Sequence, residues 1–385
     1  MTDSANRQLL SGNHAVAWGV KLARPDVAAL YPITPQTPIL EKITELQLQG
    51  EMDLQLLTPE SEHSAMSACL SASLTGVRVF TATSSQGLLL MHEVLHYAAG
   101  ARAPIVMFNV NRTPASPWGF WPDQLDSLSQ RDTGWVQLYS ESPQESLDTT
   151  VQAFRIAESV GLPVMISHDA FYVSHAVEPV ELPSQALVDE YLPRVERPLR
   201  LDVELGQSFG APIDQATWNR SRRELGAAMD KVFAAVVEAG AAWSALCGRE
   251  YGPLEHYRSD DAQVLIVTMG SMSGTARVAV DALREAGVAA GLLKVRLFRP
   301  LPVSALREAL AGVSCALVLD RNYSPGMGGI LHQELKAALF GMPDAPRVHG
   351  LLAGVGGVNV PPEKIQQWVV DYREAEPATG PIWVE

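Results

Sequence analysis

Short apolar runs alternate with segments of helical periodicity along the first half of the chain. The apolar runs have the length of buried strands and lie at 27–31, 76–80, 104–110 and 163–167. Between them, residues 9–22 place apolar side chains at helical spacing, and residues 64–74 form the small-residue run of a tightly packed helix. This alternation predicts an α/β fold, a parallel sheet covered by helices on both faces.

The alternation weakens between residues 177 and 215, where five prolines and mixed charges predict an irregular connecting segment. An alanine-rich pattern at 218–246 then predicts a long helix. A second α/β unit follows, with predicted strands at 264–268, 289–297 and 315–319 and a helix at 275–286. We therefore predict two domains, residues 1–250 and residues 251–385.

Composition narrows the classes of function. The chain has 43 acidic and 29 basic residues, a net charge of −14, and 47% of its residues are hydrophobic. A core of useful size is therefore expected, and the chain is not expected to be disordered. Binding to nucleic acid or to an anionic membrane is not expected, because both require clustered Lys and Arg.

The cysteines and the N-terminal residues indicate a cytoplasmic protein. The N-terminus lacks a basic region followed by an apolar one, and no apolar stretch approaches the length of a bilayer span. The three cysteines, Cys69, Cys247 and Cys315, are odd in number and far apart, which favours a reducing compartment. Because no pair has CxxC spacing, we expect neither a structural zinc nor an iron–sulfur cluster in this chain.

One segment, His92-Glu93-Val-Leu-His96, matches the HExxH motif of zinc peptidases, in which both histidines share a helix face. A third ligand is missing from the expected positions, which hold Ala99 and Arg102, and no Glu follows Glu93 before residue 141. We therefore expect no metal site here and interpret the pair as two histidines on a packed or interface helix.

Glycine clusters at 270–274, 326–329 and 354–357 leave two interpretations open. None satisfies GxGxxG and none is followed by the GK[ST] of a Walker A loop, so each is expected to form a tight turn at a strand end. A turn that joins such a strand to a helix could also present backbone N–H groups to an anion.

Two polar segments follow predicted strands, where α/β folds place ligand contacts. The loop 31–38 holds three prolines, which stiffen it, and carries the hydroxyls of Thr34 and Thr37. The strand at 104–110 ends in Asn-Val-Asn-Arg112, and an Arg at that position can bind a carboxylate with two hydrogen bonds. A structural turn and a surface ion pair are the alternatives.

A third segment carries two carboxylates, Glu60 and Glu62, just before the small-residue helix. Either could simply complement the helix dipole or cap its first turn. From local sequence alone, no further role can be assigned to one of the two.

Five motifs in this order resemble one family: YPITPQTP, PESEHSA, FTATSSQGLLLMHE, NVNR and DSLSQRDTGW. The chain resembles the α subunit of the 2-oxoacid:ferredoxin oxidoreductases, and the pyruvate:ferredoxin oxidoreductase type most closely. The resemblance extends over nearly the whole chain. It implies that residues 1–250 are the pyrimidine-binding domain of a thiamine diphosphate enzyme with a C-terminal connecting segment. Residues 251–385 are implied to be a transketolase C-terminal-like domain.

The resemblance also assigns residues. Glu62 is implied to contact the aminopyrimidine of the cofactor. Thr34 is implied to lie near the carboxylate and oxo group of the substrate, and Arg112 to pair with that carboxylate. The turn that lines the pyrimidine side of the cofactor is implied to consist of Ser84, Ser85 and Gln86. One departure is the segment 356–359, GGVN instead of the usual GGRD, for which we expect an effect on subunit packing more than on chemistry.

What the sequence lacks implies partners. It has no GDG…N pattern, so the diphosphate and Mg²⁺ site is expected in a β subunit, and thiamine diphosphate is expected at the interface with that subunit. It has no clustered cysteines, so [4Fe-4S] clusters are expected in iron–sulfur and γ-type subunits or fused equivalents. The implied reaction is oxidative decarboxylation of a small 2-oxoacid such as pyruvate, with coenzyme A as acyl acceptor and ferredoxin as electron acceptor.

Two alternatives stay open at the level of sequence. The chain could be a subunit of another thiamine diphosphate enzyme of the same fold, a 2-oxoacid dehydrogenase or a transketolase-like enzyme. It could also be a non-catalytic assembly subunit, although retention of Thr34, Glu62 and Arg112 argues against that. The identity of the partner chains would decide between the enzymes.

Overall fold

A computed structural model describes residues 6–197, 199–202 and 204–384. The elements of the first half are β1 (Asn6–Ser11), α1 (Gly12–Ala23), β2 (Val27–Ala29), α2 (Thr37–Leu48), β3 (Gln55–Leu57), α3 (Glu62–Leu74), β4 (Val79–Thr83), α4 (Ser85–Gly100), β5 (Ile105–Asn111), α5 (Leu125–Leu128), β6 (Val136–Tyr139), α6 (Pro143–Val160), β7 (Val164–Asp169), β8 (Val177–Leu182) and α7 (Gln185–Tyr191).

The remaining elements include two helices, then a second run of strands and helices. They are α8 (Gln215–Met229), α9 (Val232–Cys247), β9 (Leu254–Tyr257), β10 (Val264–Thr268), α10 (Met272–Glu285), β11 (Ala290–Val295), β12 (Leu297–Arg299), α11 (Val303–Ala309), β13 (Cys315–Asp320), α12 (Ile330–Leu339), β14 (Arg347–Ala353), α13 (Pro362–Tyr372) and β15 (Ile382–Val384).

A seven-stranded sheet forms the centre of the first unit in the described part of the chain, in the order β12-β6-β7-β5-β4-β2-β3. All its pairs are parallel except β12 with β6. Strand β5 shows why both faces must be covered. Its Val106 and Phe108 pack among α1, α2 and α6, whereas Ile105 and Met107 pack among α3 and α4. Side chains alternate between sheet faces, so a continuous apolar run requires helices on both.

A six-stranded sheet forms the second unit, in the order β15-β14-β13-β10-β11-β9. Only β9 runs antiparallel to its neighbour. Helices α10 and α13 cover one face and α11 and α12 cover the other, and each face has its own apolar core. The predicted α/β class is confirmed, whereas the boundary at residues 250 and 251 stays a prediction.

Two predicted segments differ from the structure at the residues where they begin. Residues 9–11 were expected to begin a helix, but they belong to β1, which pairs antiparallel with β8. The helix begins only at Gly12, because the Ser11 hydroxyl accepts a hydrogen bond from the His14 amide at 3.2 Å and caps it. The expectation of an irregular segment from 177 to 215 was therefore wrong at its start, which holds β8 and α7.

Two long predicted elements are each divided. The helix expected at 218–246 is two helices, α8 and α9, separated at Asp230 and Lys231. The strand expected at 289–297 is also two: β11 lies in the six-stranded sheet, whereas β12 crosses to the edge of the seven-stranded sheet beside β6. The second half of the chain thus completes the sheet of the first.

A buried ion cluster joins the two units. Lys294 on β11 is only 1% exposed, and its Nζ lies 2.7 Å from Oε2 of Glu145 on α6 and 3.0 Å from Oε1 of Glu255 on β9. Arg296 also contacts Glu145, at 3.2 Å. Buried charges of this kind depend on each other, because each would be strongly unfavourable without its partners.

Lys294→Met should therefore destabilise the protein by about 3–5 kcal/mol, because it removes a positive charge that neutralises buried carboxylates. Urea unfolding of the purified chain measures this. The matched control is Lys42→Met, which removes an ion pair with Glu45 on α2. The Glu45 side chain is half exposed, and a surface ion pair contributes at most about 1 kcal/mol. Equal effects of the two substitutions would contradict the importance assigned to the cluster.

Candidate functional site

The predicted site segments all follow neighbouring strands of the seven-stranded sheet. Strands β5, β4, β2 and β3 lie side by side and are parallel. Arg112 follows β5, Ser84 follows β4, the loop 31–38 follows β2, and Glu62 comes shortly after β3. Their carboxyl ends therefore form one edge, and the structure brings the six predicted residues together there.

Glu62 is the first residue of α3 and is only 8% exposed. The Ser61 hydroxyl caps the helix by accepting from the Ser64 amide at 3.2 Å. A carboxylate in the first turn is favoured by the helix dipole, which helps to explain how it tolerates burial. No hydrogen bond reaches this carboxylate from the part of the chain that the structure describes, so its acceptor capacity is free.

Gly87 in the first turn of α4 makes room for that carboxylate. A Cβ at this position would lie 2.7 Å from Glu62 Oε1 and 2.5 Å from Thr83 Oγ1. Any larger residue would therefore displace Glu62.

Glu60, unlike Glu62, has an exposed side chain. Its carboxylate accepts a hydrogen bond from the Ser64 hydroxyl, which lowers the pKa of Glu60. The structure thus separates one buried carboxylate from one solvated carboxylate.

The turn at Ser84, Ser85 and Gln86 is the start of α4, not a loop before it. Ser85 has a φ of 46°, a left-handed conformation unusual for a residue with a side chain. The Ser84 hydroxyl donates to the Val110 carbonyl at 2.7 Å. The Ser85 hydroxyl lies 2.6 Å from Gln86 Oε1 and 2.7 Å from the Thr113 carbonyl. These contacts tie the turn to the end of β5.

Arg112 connects the loop 31–38 to this turn. Its Nη1 donates to the Thr34 carbonyl at 2.5 Å, and its Nη2 donates to Gln86 Oε1. The Thr34 side chain itself is exposed. Burial lowers the pKa of Arg112, against the opposing influence of Asp126 and Glu62. An arginine has five N–H groups, so donors remain beyond these two contacts, and Nε lacks a partner among the described residues.

Two aromatic rings lie against the same guanidinium. The Cζ of Arg112 is 5.5 Å from the centre of the Trp118 ring and 5.9 Å from that of Phe120, within cation–π range. Both rings are nonetheless substantially exposed, 57% and 44%. Two aromatic side chains therefore lie beside Arg112, the cation predicted to bind the substrate carboxylate.

Sequence reasoning missed two buried polar residues that hold this edge in place. Asn13 on α1 donates from Nδ2 to the Pro35 carbonyl at 2.7 Å and so anchors the loop 31–38. Asp126 accepts hydrogen bonds from Ser85 and Arg112 among others. Burial raises the pKa of Asp126 to about 7 despite these bonds. Asp126 opens the DSLSQ segment, a signal that the sequence offered without indicating its role.

The HExxH segment lies on the outer face of α4, and its side chains contact partners other than each other's metal-binding atoms. His92 Nδ1 contacts Gln130 Oε1 at 2.5 Å, and Glu93 faces His63 at 3.5 Å instead of the second histidine. The rings of His92 and His96 are 5.0 Å apart. No group of three or more His, Cys, Asp or Glu side chains could hold a metal ion within the described ranges.

Acidic side chains already occupy two of the three glycine turns. Asp169 accepts from the Ser271 amide at 3.0 Å, and Asp320 accepts from two amides in the first turn of α12, those of Leu331 and His332. At both turns, backbone N–H groups are therefore already bound by carboxylates of the chain itself. This favours the structural interpretation of both turns.

The third glycine turn, at 354–357, lies where the two units meet. A Cβ on Gly357 would lie 2.4 Å from Trp121 Cβ, and the Gly357 carbonyl accepts from the Tyr172 hydroxyl at 2.9 Å. The GGVN departure thus falls at a contact within the chain. Its expected effect on subunit packing stays a prediction.

In the described residues, no helix has the length and apolar character needed to cross a membrane.

The chain is similar to known proteins over most of its length. Residues 18–239 match the family "Pyruvate flavodoxin/ferredoxin oxidoreductase, thiamine diP-bdg", and residues 262–365 match "Pyruvate:ferredoxin oxidoreductase core domain II". The chain is 43% identical over 379 residues to pyruvate synthase subunit PorA of Methanothermobacter thermautotrophicus, covering 98% of this chain and 97% of the relative. It is 47% identical over 354 residues to ketoisovalerate oxidoreductase subunit VorA of Pyrococcus abyssi, covering 91% and 89%.

A solved structure shares the fold. A 2-oxoglutarate:ferredoxin oxidoreductase from Magnetococcus marinus superposes with a TM-score of 0.75 at 21% identity, covering 96% of this chain and 66% of that one.

The matched family models and the named relatives define the class: the chain is a subunit of a thiamine diphosphate-dependent oxidoreductase. The chain belongs to the 2-oxoacid:ferredoxin oxidoreductase family, among its α subunits. The resemblance predicted from the five motifs is thereby confirmed, as are the cofactor and the class of enzyme. These relatives do not favour the alternative of a 2-oxoacid dehydrogenase or a transketolase-like enzyme. The names of the relatives, subunit PorA and subunit VorA, imply a multi-subunit complex.

Proposed function

We propose that this chain supplies the pyrimidine half of a thiamine diphosphate site in a complex that oxidatively decarboxylates a small 2-oxoacid, most simply pyruvate. The Glu62 carboxylate carries the proposal. It is buried at the edge of the sheet, receives no hydrogen bond from the described residues and faces a glycine that leaves it space. An acceptor left free in a buried position fits a ligand nitrogen that carries a proton.

Each remaining site residue has a role consistent with its contacts. Thiamine diphosphate, when bound, supplies the carbon nucleophile and the electron sink for the decarboxylation. Glu62 would hold and exchange the proton at N1′ of the aminopyrimidine. The pyrimidine side of the cofactor would be lined by Ser84, Ser85 and Gln86. The remaining N–H groups of Arg112 would bind the substrate carboxylate, beside Thr34, and the neighbouring rings would exclude water.

The partners follow from what this chain does not contain. A β subunit would contribute the diphosphate and Mg²⁺ site. Iron–sulfur and γ-type subunits, or fused equivalents, would hold the [4Fe-4S] clusters that pass the electrons of the oxidation to ferredoxin. Coenzyme A would accept the acyl group. We propose a cytoplasmic location, which is supported by three free cysteines, Cys69 and Cys315 buried and Cys247 partly buried.

A branched 2-oxoacid is the second candidate substrate. The relatives named for ketoisovalerate are as similar to this chain as those named for pyruvate. The rings of Trp118 and Phe120 offer an apolar surface beside Arg112 that a branched side chain could contact. Assaying the native complex with pyruvate, 3-methyl-2-oxobutanoate and 2-oxoglutarate, using a viologen dye as electron acceptor, distinguishes these substrates by kcat/KM.

The chain should co-purify from native cells with a β subunit and an iron–sulfur protein, because its half of the site is incomplete alone. The isolated chain should be colourless and should bind thiamine diphosphate weakly by calorimetry. Adding the β subunit with Mg²⁺ should strengthen that binding strongly. Tight cofactor binding by the isolated chain would contradict the proposed division of the site.

A further inference from the structure

Asp126 is a fully buried carboxylate to which the reaction assigns no role. It lies in α5, and its Oδ2 accepts hydrogen bonds from the Ser85 amide at 2.9 Å, the Arg112 amide at 3.2 Å and Asn109 Nδ2 at 3.2 Å. Its Oδ1 accepts from the Ser127 amide at 2.7 Å. A single side chain thus receives donors from the start of α4, the end of β5 and its own helix.

The two backbone donors are informative because of where they lie. Ser85 stands in a left-handed conformation, φ 46°, which costs free energy in a residue with a Cβ. The hydrogen bond from its amide to Asp126 Oδ2 offsets that cost. The next residue, Gln86, then meets the guanidinium of Arg112, whose own amide is held by the same carboxylate oxygen.

The alternative explanation is that Asp126 serves only the stability of the α5 turn. Asp123, three residues earlier, has that kind of role: it is also buried, and its Oδ1 accepts from the Leu125 amide at 2.8 Å. Asp123 makes no hydrogen bond to the site residues among the described contacts. The two aspartates therefore form a natural pair of test and control.

We propose that Asp126 is a positioning residue that fixes the Gln86–Arg112 contact and thereby sets the orientation of the substrate-binding guanidinium. The proposal rests on the role given to Arg112 above. Asp126 is fully buried and contacts Ser85 and Arg112 through their backbone amides. It acts by holding two backbone amides, one on each side of that contact, in a fixed relation.

The test is Asp126→Asn in the reconstituted complex, with Asp123→Asn as its control. An amide keeps the shape but offers one acceptor oxygen and brings an NH₂ group toward N–H donors. The KM for the 2-oxoacid should rise about tenfold, which is about 1.4 kcal/mol, whereas the KM for coenzyme A should not change. Asp123→Asn should leave both KM values unchanged. A purely structural role would lower the melting temperature in both variants without this selective rise.

A double-mutant comparison separates this proposal from the role of Arg112 itself. In an Arg112→Ala background, Asp126→Asn should add little further loss, because coupled residues are not additive. Additive losses would overturn the positioning role even if Arg112→Ala behaves as expected. If Arg112→Ala has no effect, the proposed function of Arg112 fails first. Should Asp126→Asn not assemble, Asp126→Glu, which displaces the oxygens by one methylene, must show the same selective rise, and an unchanged KM there would also overturn the proposal.

Discussion

Glu62→Gln should lower 2-oxoacid turnover of the reconstituted complex by at least about 100-fold, and up to about 10,000-fold, the range that general acid–base catalysis contributes. Glutamine keeps the shape and the space beside Gly87 but cannot exchange a proton with N1′ of the cofactor. Assembly should be normal, because the described contacts give this carboxylate no hydrogen bond to lose. Steady-state turnover and exchange of the C2 proton of bound cofactor measure the effect.

Glu60→Gln is the matched control, two residues away on the same segment. Its carboxylate is exposed and bonds only to the Ser64 hydroxyl among the hydrogen bonds of the described residues, so turnover should fall far less. The assignment of Glu62 would be wrong if Glu62→Gln exchanged the C2 proton of the cofactor at the wild-type rate. It would also be wrong if Glu60→Gln were the variant that lost turnover.

Arg112→Ala should lower kcat/KM for the 2-oxoacid by about ten- to a hundred-fold or more. A hydrogen bond to a charged group contributes about 1.5–3 kcal/mol, and 1.4 kcal/mol corresponds to tenfold. Cofactor binding should change little. Arg112→Lys should recover only part of the loss, because an ammonium keeps the charge but lacks the planar pair of donors.

Arg131→Ala provides the comparison for Arg112→Ala. Arg131 belongs to the DSLSQRDTGW segment but pairs with Glu334, at 3.6 Å. Its removal should leave kcat/KM unchanged. The melting temperature of each variant must be measured too, since Arg112 is buried and bonds to Thr34 and Gln86. Unchanged kinetics in a folded Arg112→Ala complex would reject the substrate role.

The sequence was sufficient for the central strands and for the position of two candidate site segments at strand ends. Strands such as β5 are buried on both faces, so their apolar runs are continuous and visible without any partner. The segments after β2 and β5 could be placed at strand ends because parallel strands present ligand contacts at their carboxyl ends, whereas the turn at 84–86 was assigned only by the family resemblance. Local chemistry of this kind is encoded within a few residues.

Pairing between distant segments was not visible in the same way. Strand β8 begins with three exposed residues and contains Pro179, which is typical of an edge strand and of a loop alike. Only its partner β1, far away in sequence, makes it a strand. Asp126 is similar, because an acidic residue in a polar segment gives no local sign that it will be fully buried with four donors around it.

Strand β12 has a consequence for any attempt to express the first unit alone. It comes from beyond residue 250 and pairs with β6, covering what would otherwise be the outer rim of the seven-stranded sheet. A fragment cut there would present unpaired backbone groups of a buried apolar strand to solvent, and such rims recruit other chains. The fragment would also lose Lys294 and Arg296 as counter-ions for Glu145. A fragment of residues 1–250 is thus expected to be less stable and more prone to aggregate than the whole chain.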